Sequence, residues 1–420
     1  MQHGHFRGLA ARVCIAWHSV PCGALALIGI YSLWPDDRRR HYDGWTGIRE
    51  IDFVGNFLLI VASILLVFGV QEAGSYVWKW SSPVIIWSLV IAGLSWILLA
   101  VWETYLFYGR NHHIQPIFSV RLATGRVYLS TIMYMCRVTF LTGLVYIALV
   151  IKIPERFQVI YGDSALRAGI HLLPMLGSCA FGSTLAGTIS KKRNLTSHTL
   201  AAGNSLQVVG LGLVYGFSNT TERGDIRFIL GFTALYGFGV GLCFTACTMI
   251  AAIEARHGDL AAAQGAVAQV RVLGGALGLG ICTIIFNDVL QRSLGPATEA
   301  GRFPATVLDQ LHRSPLAVFM LPPEQQALVK TVYSDAFKYQ MLLMMVVVAV
   351  AVLASLGTYR SQPPAVIDSM IHHKELAARP SDTEMESASS VRSLLLDGIL
   401  LVYNSSTYLG SDEAMYHRNR

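Results

Sequence analysis

Apolar residues run through the chain in about nine stretches, each long enough to cross a bilayer as a helix and divided from the next by a short polar connection. A hydrocarbon core about 30 Å thick takes about 20 helical residues at 1.5 Å rise, and lipid offers backbone groups no partner outside the helix itself. The pattern predicts spans over 13–33, 52–70, 84–103, 127–150, 165–189, 197–217, 228–253, 262–286 and 337–357. The expected fold class is all-α and polytopic, with the lipid bilayer as the first partner.

Composition agrees. Of 420 residues, 53% are hydrophobic and 14% charged, and the mean hydropathy is +0.48. A water-soluble globule would need more polar surface. The net charge of +6 does not point to nucleic acid, because the basic residues gather in the connections and the tail, where a membrane protein places them for orientation. Arg38, Arg39, Arg40 and Arg49 follow the first span; Arg110, Arg121 and Arg126 follow the third; Lys191, Lys192 and Arg193 follow the fifth. That side is expected to be cytoplasmic. The opposite connections hold Lys79, Lys152, Arg156 and Arg223. An odd number of spans then puts the tail after Arg360 in the cytoplasm and the residues before Val13 outside. The first ten residues are polar, with His3, His5 and Arg7, and contain no signal peptide, so earlier helices are expected to be missing.

Residues 287–336 form a longer exoplasmic connection with Pro296, Pro304, Pro315, Pro322 and Pro323, expected to carry short amphipathic helices. Residues 359–420 read as a mostly disordered cytoplasmic tail, Ser-rich between Ser381 and Ser393. Its apolar run 394–403 is too short to span; it is a surface or partner-binding segment, or a hydrophobic cluster without a role. Of three glycosylation sequons, Asn219 falls on the exoplasmic side and Asn194 and Asn404 on the other.

Chemistry within the spans is sparse. The eighth carries Arg271, Gly274, Gly275 and Gly278 at helical spacing, a face on which a neighbouring backbone can come close. Arg271 lies about 14 Å into its span, where a charge needs water, an acid or backbone carbonyls. Arg137 stands at similar depth in the fourth span, near Tyr134, Thr139 and Thr142, and no Asp or Glu lies comparably deep. Both arginines either line a solute pathway or clamp helices through carbonyls, and Arg137 has the further option of reaching the cytoplasmic interface. His171 is a proton carrier or a satisfied polar group at a helix end. In the seventh span, Gly237, Gly239 and Gly241 with Phe244, Thr245, Cys247 and Thr248 permit close packing or bending. The seven cysteines fall mostly inside apolar spans and form no disulfide framework; Cys243 and Cys247 share a face without His or carboxylate, so no metal is expected. No enzyme signature and no cofactor motif is present.

Four segments resemble the fourteen-span drug:proton antiporters of the major facilitator superfamily, in their fungal form. Ile153-Pro-Glu-Arg-Phe-Gln158, Gly162-Asp-Ser164 and Ala168-Gly-Ile-His-Leu-Leu-Pro174 are similar to the loop and helix start after that family's ninth span, with Pro154, Phe157, Gln158, Gly162, Ser164, Gly169 and Pro174 as the matching positions. Residues 187–203, with Gly187, Lys191, Lys192 and Arg193, resemble its second cytoplasmic basic turn. Residues 237–248 and 271–278 look like its twelfth and thirteenth spans, and Trp17, Pro21 and Gly23 resemble the start of its sixth.

The resemblance implies this organisation: 1–50, a sixth-span-like helix and basic cytoplasmic loop; 51–126, two linker helices and a cytoplasmic loop; 127–358, a complete second six-helix bundle including the exoplasmic connection 287–336; and 359–420, the tail. It further implies proton-coupled export of small lipophilic compounds by alternating access, from the plasma or vacuolar membrane. Tyr134, Arg137, Thr142, Phe244, Thr248 and Arg271 would line the pathway, and Gly237, Gly241, Gly274, Gly275 and Gly278 would pack helices. This sequence departs from the family in lacking counterparts of the first five spans, in having Glu155-Arg156 where an apolar-aromatic pair is usual, and in lacking the acid of the basic turn. The expectation is an incomplete transporter that needs a full-length relative or an N-terminal bundle, or else a non-transporting scaffold.

Overall fold

The computed structural model describes residues 51–359, save 75–77, 79, 109–125, 191–193, 219–224, 256–259, 300–304 and 314, together with helical positions between 21 and 32. The chain divides into Met1–Ile51 and Asp52–Arg420. In the first unit, the described positions are helical and fall inside the span expected over 13–33. Trp17, Arg38, Arg39, Arg40, Arg49, Lys79, Arg110, Arg121, Lys191, Lys192, Arg193, Arg223, the sequons at Asn219 and Asn404, and the tail from Arg360 lie outside the described residues.

The second unit is helical: α1 (Phe53–Gly74), α2 (Pro83–Tyr108), α3 (Arg126–Tyr161), α4 (Ala165–Ile170), α5 (Leu173–Ser190), α6 (Thr196–Gly216), α7 (Ile226–Glu254), α8 (Leu260–Glu299), α9 (Ala305–Arg313), a 3-10 turn (Pro315–Met320) and α10 (Pro323–Leu356). Among the described residues, seven helical stretches are long and apolar enough to cross a membrane. α6 has 21 residues but carries His198, Asn204 and Gln207, and it stands outside those seven; with it and the stretch near 13–33 the tally is about nine. The chain is thus an integral, multi-pass membrane protein of all-α fold.

Three boundaries differ from expectation. The fourth span does not end at 150: α3 continues through Ile153–Gln158, which was expected to be a loop. Pro154 removes one backbone hydrogen bond, yet Ile153, Phe157 and Ile160 carry the buried stripe onward and keep the helix attached to the core. Lys152 and Arg156, expected in a connection, are therefore helical and buried, at 7% and 1% exposure. α3 ends only at Gly162, whose φ of 70° is left-handed and whose N–H donates to the Gln158 carbonyl at 3.0 Å. Next, the fifth span is broken into α4 and α5 at His171 and Leu172, just before Pro174 in the first turn of α5. Ser164 caps α4, its hydroxyl accepting from the Arg167 N–H at 3.3 Å. Last, most of 287–336 is helix. α8 runs to Glu299 and α10 begins at Pro323, because Leu290, Leu294, Leu311, Val318, Val329 and Val332 extend the core beyond the length a bilayer requires. α9 is the short amphipathic helix anticipated there.

In the bundle α3 packs on α8, α7 lies between α5 and α6, and α10 lies on α6, α3 and α8. α1 and α2 pair with each other, and α1 leans on α8. Asp52 begins α1 by accepting from the Gly55 N–H at 2.8 Å, and the same oxygen accepts from Trp102 Nε1 of α2 at 2.9 Å. Phe57, Ile60, Ile64, Trp87, Ile97 and Leu98 point outward from this pair, an apolar surface that suits acyl chains and would not suit water.

Candidate functional site

Glycines set where α3, α5, α7 and α8 meet. A Cβ at Gly237 or Gly241 of α7 would strike the carbonyls of Met175 or Cys179 on α5. One at Gly274 or Gly278 of α8 would strike those of Phe140 or Leu144 on α3, and one at Gly275 would strike the Ile147 side chain. Ser183 and Thr245 add hydrogen bonds to Gly241 O and Ser183 O, both at 3.2 Å, across the α5–α7 seam. Gly143 of α3 is the counterpart that leaves room for the backbone of Arg271 itself.

Seated in this way, the Arg271 side chain reaches α7, where its guanidinium carbon stands 3.9 Å from the centre of the Phe244 ring. Phe244 meets Tyr146 of α3 edge to face at 5.2 Å. Cys247, Cys179 and Tyr146 are the titratable groups near Arg271 among the described residues, and none of them is a carboxylate. Its Nε and Nη2 are buried and have no hydrogen-bond acceptor among the described residues. Four helices thus converge on one half-buried cation with an aromatic floor.

The six expected pathway residues divide. Phe244 and Arg271 are in contact. Thr248 lies one turn further along α7, its hydroxyl donating to Phe244 O at 3.1 Å and Thr245 O at 2.9 Å, while its carbonyl accepts from Gln264 at 2.9 Å. Thr142 is packed inside at 1% exposure. Tyr134 lies elsewhere, against Gly357 at the end of α10, and exposed Arg137 stands over its ring at 5.5 Å. Of the positions matching the family pattern, Phe157 is buried and stacks on Tyr161, Gly162 caps α3, Ser164 caps α4 and Pro174 opens α5. Gln158 donates to Pro154 O at 3.4 Å. A Cβ at Gly169 or Gly187 would meet nothing within 4 Å.

The sequence had not singled out Gly143 and Tyr146, although Thr139, Gly143 and Tyr146 fall at helical spacing on α3 and such a stripe of polar, small and aromatic residues is a readable signal. It also missed a charged cluster beyond the site. Lys152 donates to Glu155 at 2.8 Å inside the core, Arg156 lies 4.6 Å over Phe337 and hydrogen-bonds the Tyr161 hydroxyl, and Tyr333 of α10 lies beside both Glu155 and Arg156. His171 packs on Phe157 and reaches Asp163 at 3.4 Å. A third polar group, Asn204, Gln207 and Cys243, joins α6 to α7 and, through a 3.5 Å contact of Asn204 with Ala351 O, to α10.

No family model matches the chain. It is 31% identical to an MFS-type transporter of Fusarium mangiferae over 317 residues, 75% of this chain and 51% of that protein. Its relatives are fungal transporters of the major facilitator type. An MFS efflux transporter of Aspergillus oryzae is 24% identical over 284 residues, 67% of this chain and 49% of that protein. A vacuolar basic amino acid transporter of Saccharomyces cerevisiae is 28% identical over 247 residues, 57% and 42% of the two. The chain spans about half the length of the curated relatives it matches.

Proposed function

We propose that this chain belongs to the major facilitator transporters and forms part of a proton-coupled exporter of small lipophilic compounds, in the plasma or vacuolar membrane. The face around Arg271, built by α3, α5, α7 and α8, is one wall of the pathway; a companion bundle supplies the other, and the two rock about the site between them. One observation carries this reading. A guanidinium well inside a span, half-buried and with two nitrogens that lack acceptors among the described residues, is costly in hydrocarbon and reasonable beside a hydrated or ligand-bearing seam. The similarity to fungal transporters, one of them an efflux protein, supports it.

The test is efflux of a labelled lipophilic compound from cells that express the chain with its companion bundle, with and without a protonophore, for the wild type and Arg271→Ala. Gradient-dependent efflux reduced at least about tenfold by Arg271→Ala is the expected result, the size of one lost charge-assisted contact. Efflux unaffected by Arg271→Ala would remove this face from the pathway. Efflux indifferent to the protonophore would remove the proton.

A further inference from the structure

Resting on the reading of the Arg271 face as a pathway wall, we propose that Arg271 is the anion-binding residue of the site and that its ligand is an amphipathic organic anion, a carboxylate carried on an aromatic or apolar body.

The argument is one of charge and shape. A guanidinium stays protonated through the physiological range, so the site bears a full positive charge there. Phe244 offers its π face at 3.9 Å, which offsets part of the cost of taking that charge out of water but supplies no acceptor for an N–H. Tyr146, Cys179 and Cys247 lie near it, and among the described residues no carboxylate pairs with it. Nε and Nη2 are left buried and unpaired by the described residues. A carboxylate fits a guanidinium edge with two parallel N–H···O bonds and brings the one negative charge that makes the pair neutral. The rest of the ligand would meet the rings of Phe244 and Tyr146, which stand edge to face and half-exposed beside the cation, so an aromatic or lipophilic body is favoured over a second polar group. A lipophilic cation would meet like charge without a counterion here.

Binding can be measured on the whole chain in nanodiscs of zwitterionic lipid, by equilibrium dialysis of radiolabelled probes against protein-free discs. Three probes share one body: 2-naphthoate, the neutral 2-naphthamide and 2-naphthylmethylammonium. The wild type should bind naphthoate at least about tenfold more tightly than naphthamide, and naphthylmethylammonium most weakly. Arg271→Gln should erase the preference, and Arg271→Lys, which keeps the charge but not the planar fork, should retain part of it. Equal binding of naphthoate and naphthamide by the wild type, or a preference that survives Arg271→Gln, overturns the proposal. Should Arg271→Gln fail to fold, the order of the three probes on the wild type decides alone. Phe244→Ala separates this proposal from the reading beneath it. If that variant weakens all three probes while none is preferred, the pathway stands and the anion falls; if no probe binds the wild type, both fall.

Discussion

At Gly241 a single Cβ would collide with the Cys179 carbonyl, and at Gly278 with that of Leu144, so at these points the missing methyl group sets the distance between helices. Gly187 is also inside a helix, α5, but a Cβ there would meet nothing within 4 Å. The two kinds of glycine should therefore respond with opposite sign. Gly241→Leu or Gly278→Leu forces α5 from α7 or α3 from α8 and is expected to cost roughly 2 kcal/mol or more. Gly187→Ala removes backbone freedom without a clash and should be neutral or stabilising by about 0.5–1 kcal/mol. Thermal melting of the detergent-solubilised variants, followed by loss of helix signal, checks both; a melting point lowered equally by all three would show that glycine here acts through something other than approach. Arg271 is visible in the sequence because a lone charge in an apolar run demands water, a ligand or backbone carbonyls. Tyr146 alone is not, since an aromatic in a membrane helix reads the same whether it faces a pathway or a core; only its spacing with Thr139 and Gly143 marks it.

Among the elements, α3 departs furthest from its expected form, and its charges explain why. Lys152, Glu155 and Arg156 around Pro154 look like a hydrophilic turn, and hydropathy alone ends the span at 150. In the fold, Lys152 and Glu155 neutralise each other at 2.8 Å, three residues apart on one helix, and Arg156 lies over Phe337, so the segment can stay helical and enter the core. Pairing of this kind cannot be seen in a window average. Charge also hides the length of α10, whose first turns carry Glu324, Lys330 and Asp335 before the apolar run begins. Because Lys152 is 7% exposed, Glu155→Leu leaves a buried ammonium without its counterion and is expected to destabilise by about 3–5 kcal/mol. The double change Lys152→Met with Glu155→Leu removes both charges and should restore most of that loss. A double-mutant cycle on chemical denaturation decides; additive losses would mean that the pair is not coupled. Gly162, which the resemblance marks only as a matching position, is the stop at which α3 ends.

For the whole molecule, the count of spans is legible because it depends on nothing but the number of apolar runs, whereas sidedness depends on which charges lie in connections. Removing Lys152 and Arg156 from the exoplasmic connections, since both are now in α3, leaves that side with only Lys79 and Arg223 among its expected basic residues. The expected cytoplasmic side gives up only Arg126, the first residue of α3, and keeps nine of its ten. The bias that sets orientation therefore grows once the fold is known. A cysteine at position 164, in the turn between α3 and α4, should then face the outside, and one at position 192, between α5 and α6, the cytoplasm. In a background with the seven native cysteines replaced, Ser164→Cys should react with a membrane-impermeant maleimide added to intact cells, and Lys192→Cys only after permeabilisation. If the protein resides in the vacuole, the same pair should be read on isolated vacuoles with the order reversed, because their cytoplasmic face is the accessible one. Labelling of both positions from one side would break the alternation of spans between them and with it the six-helix bundle as a membrane unit.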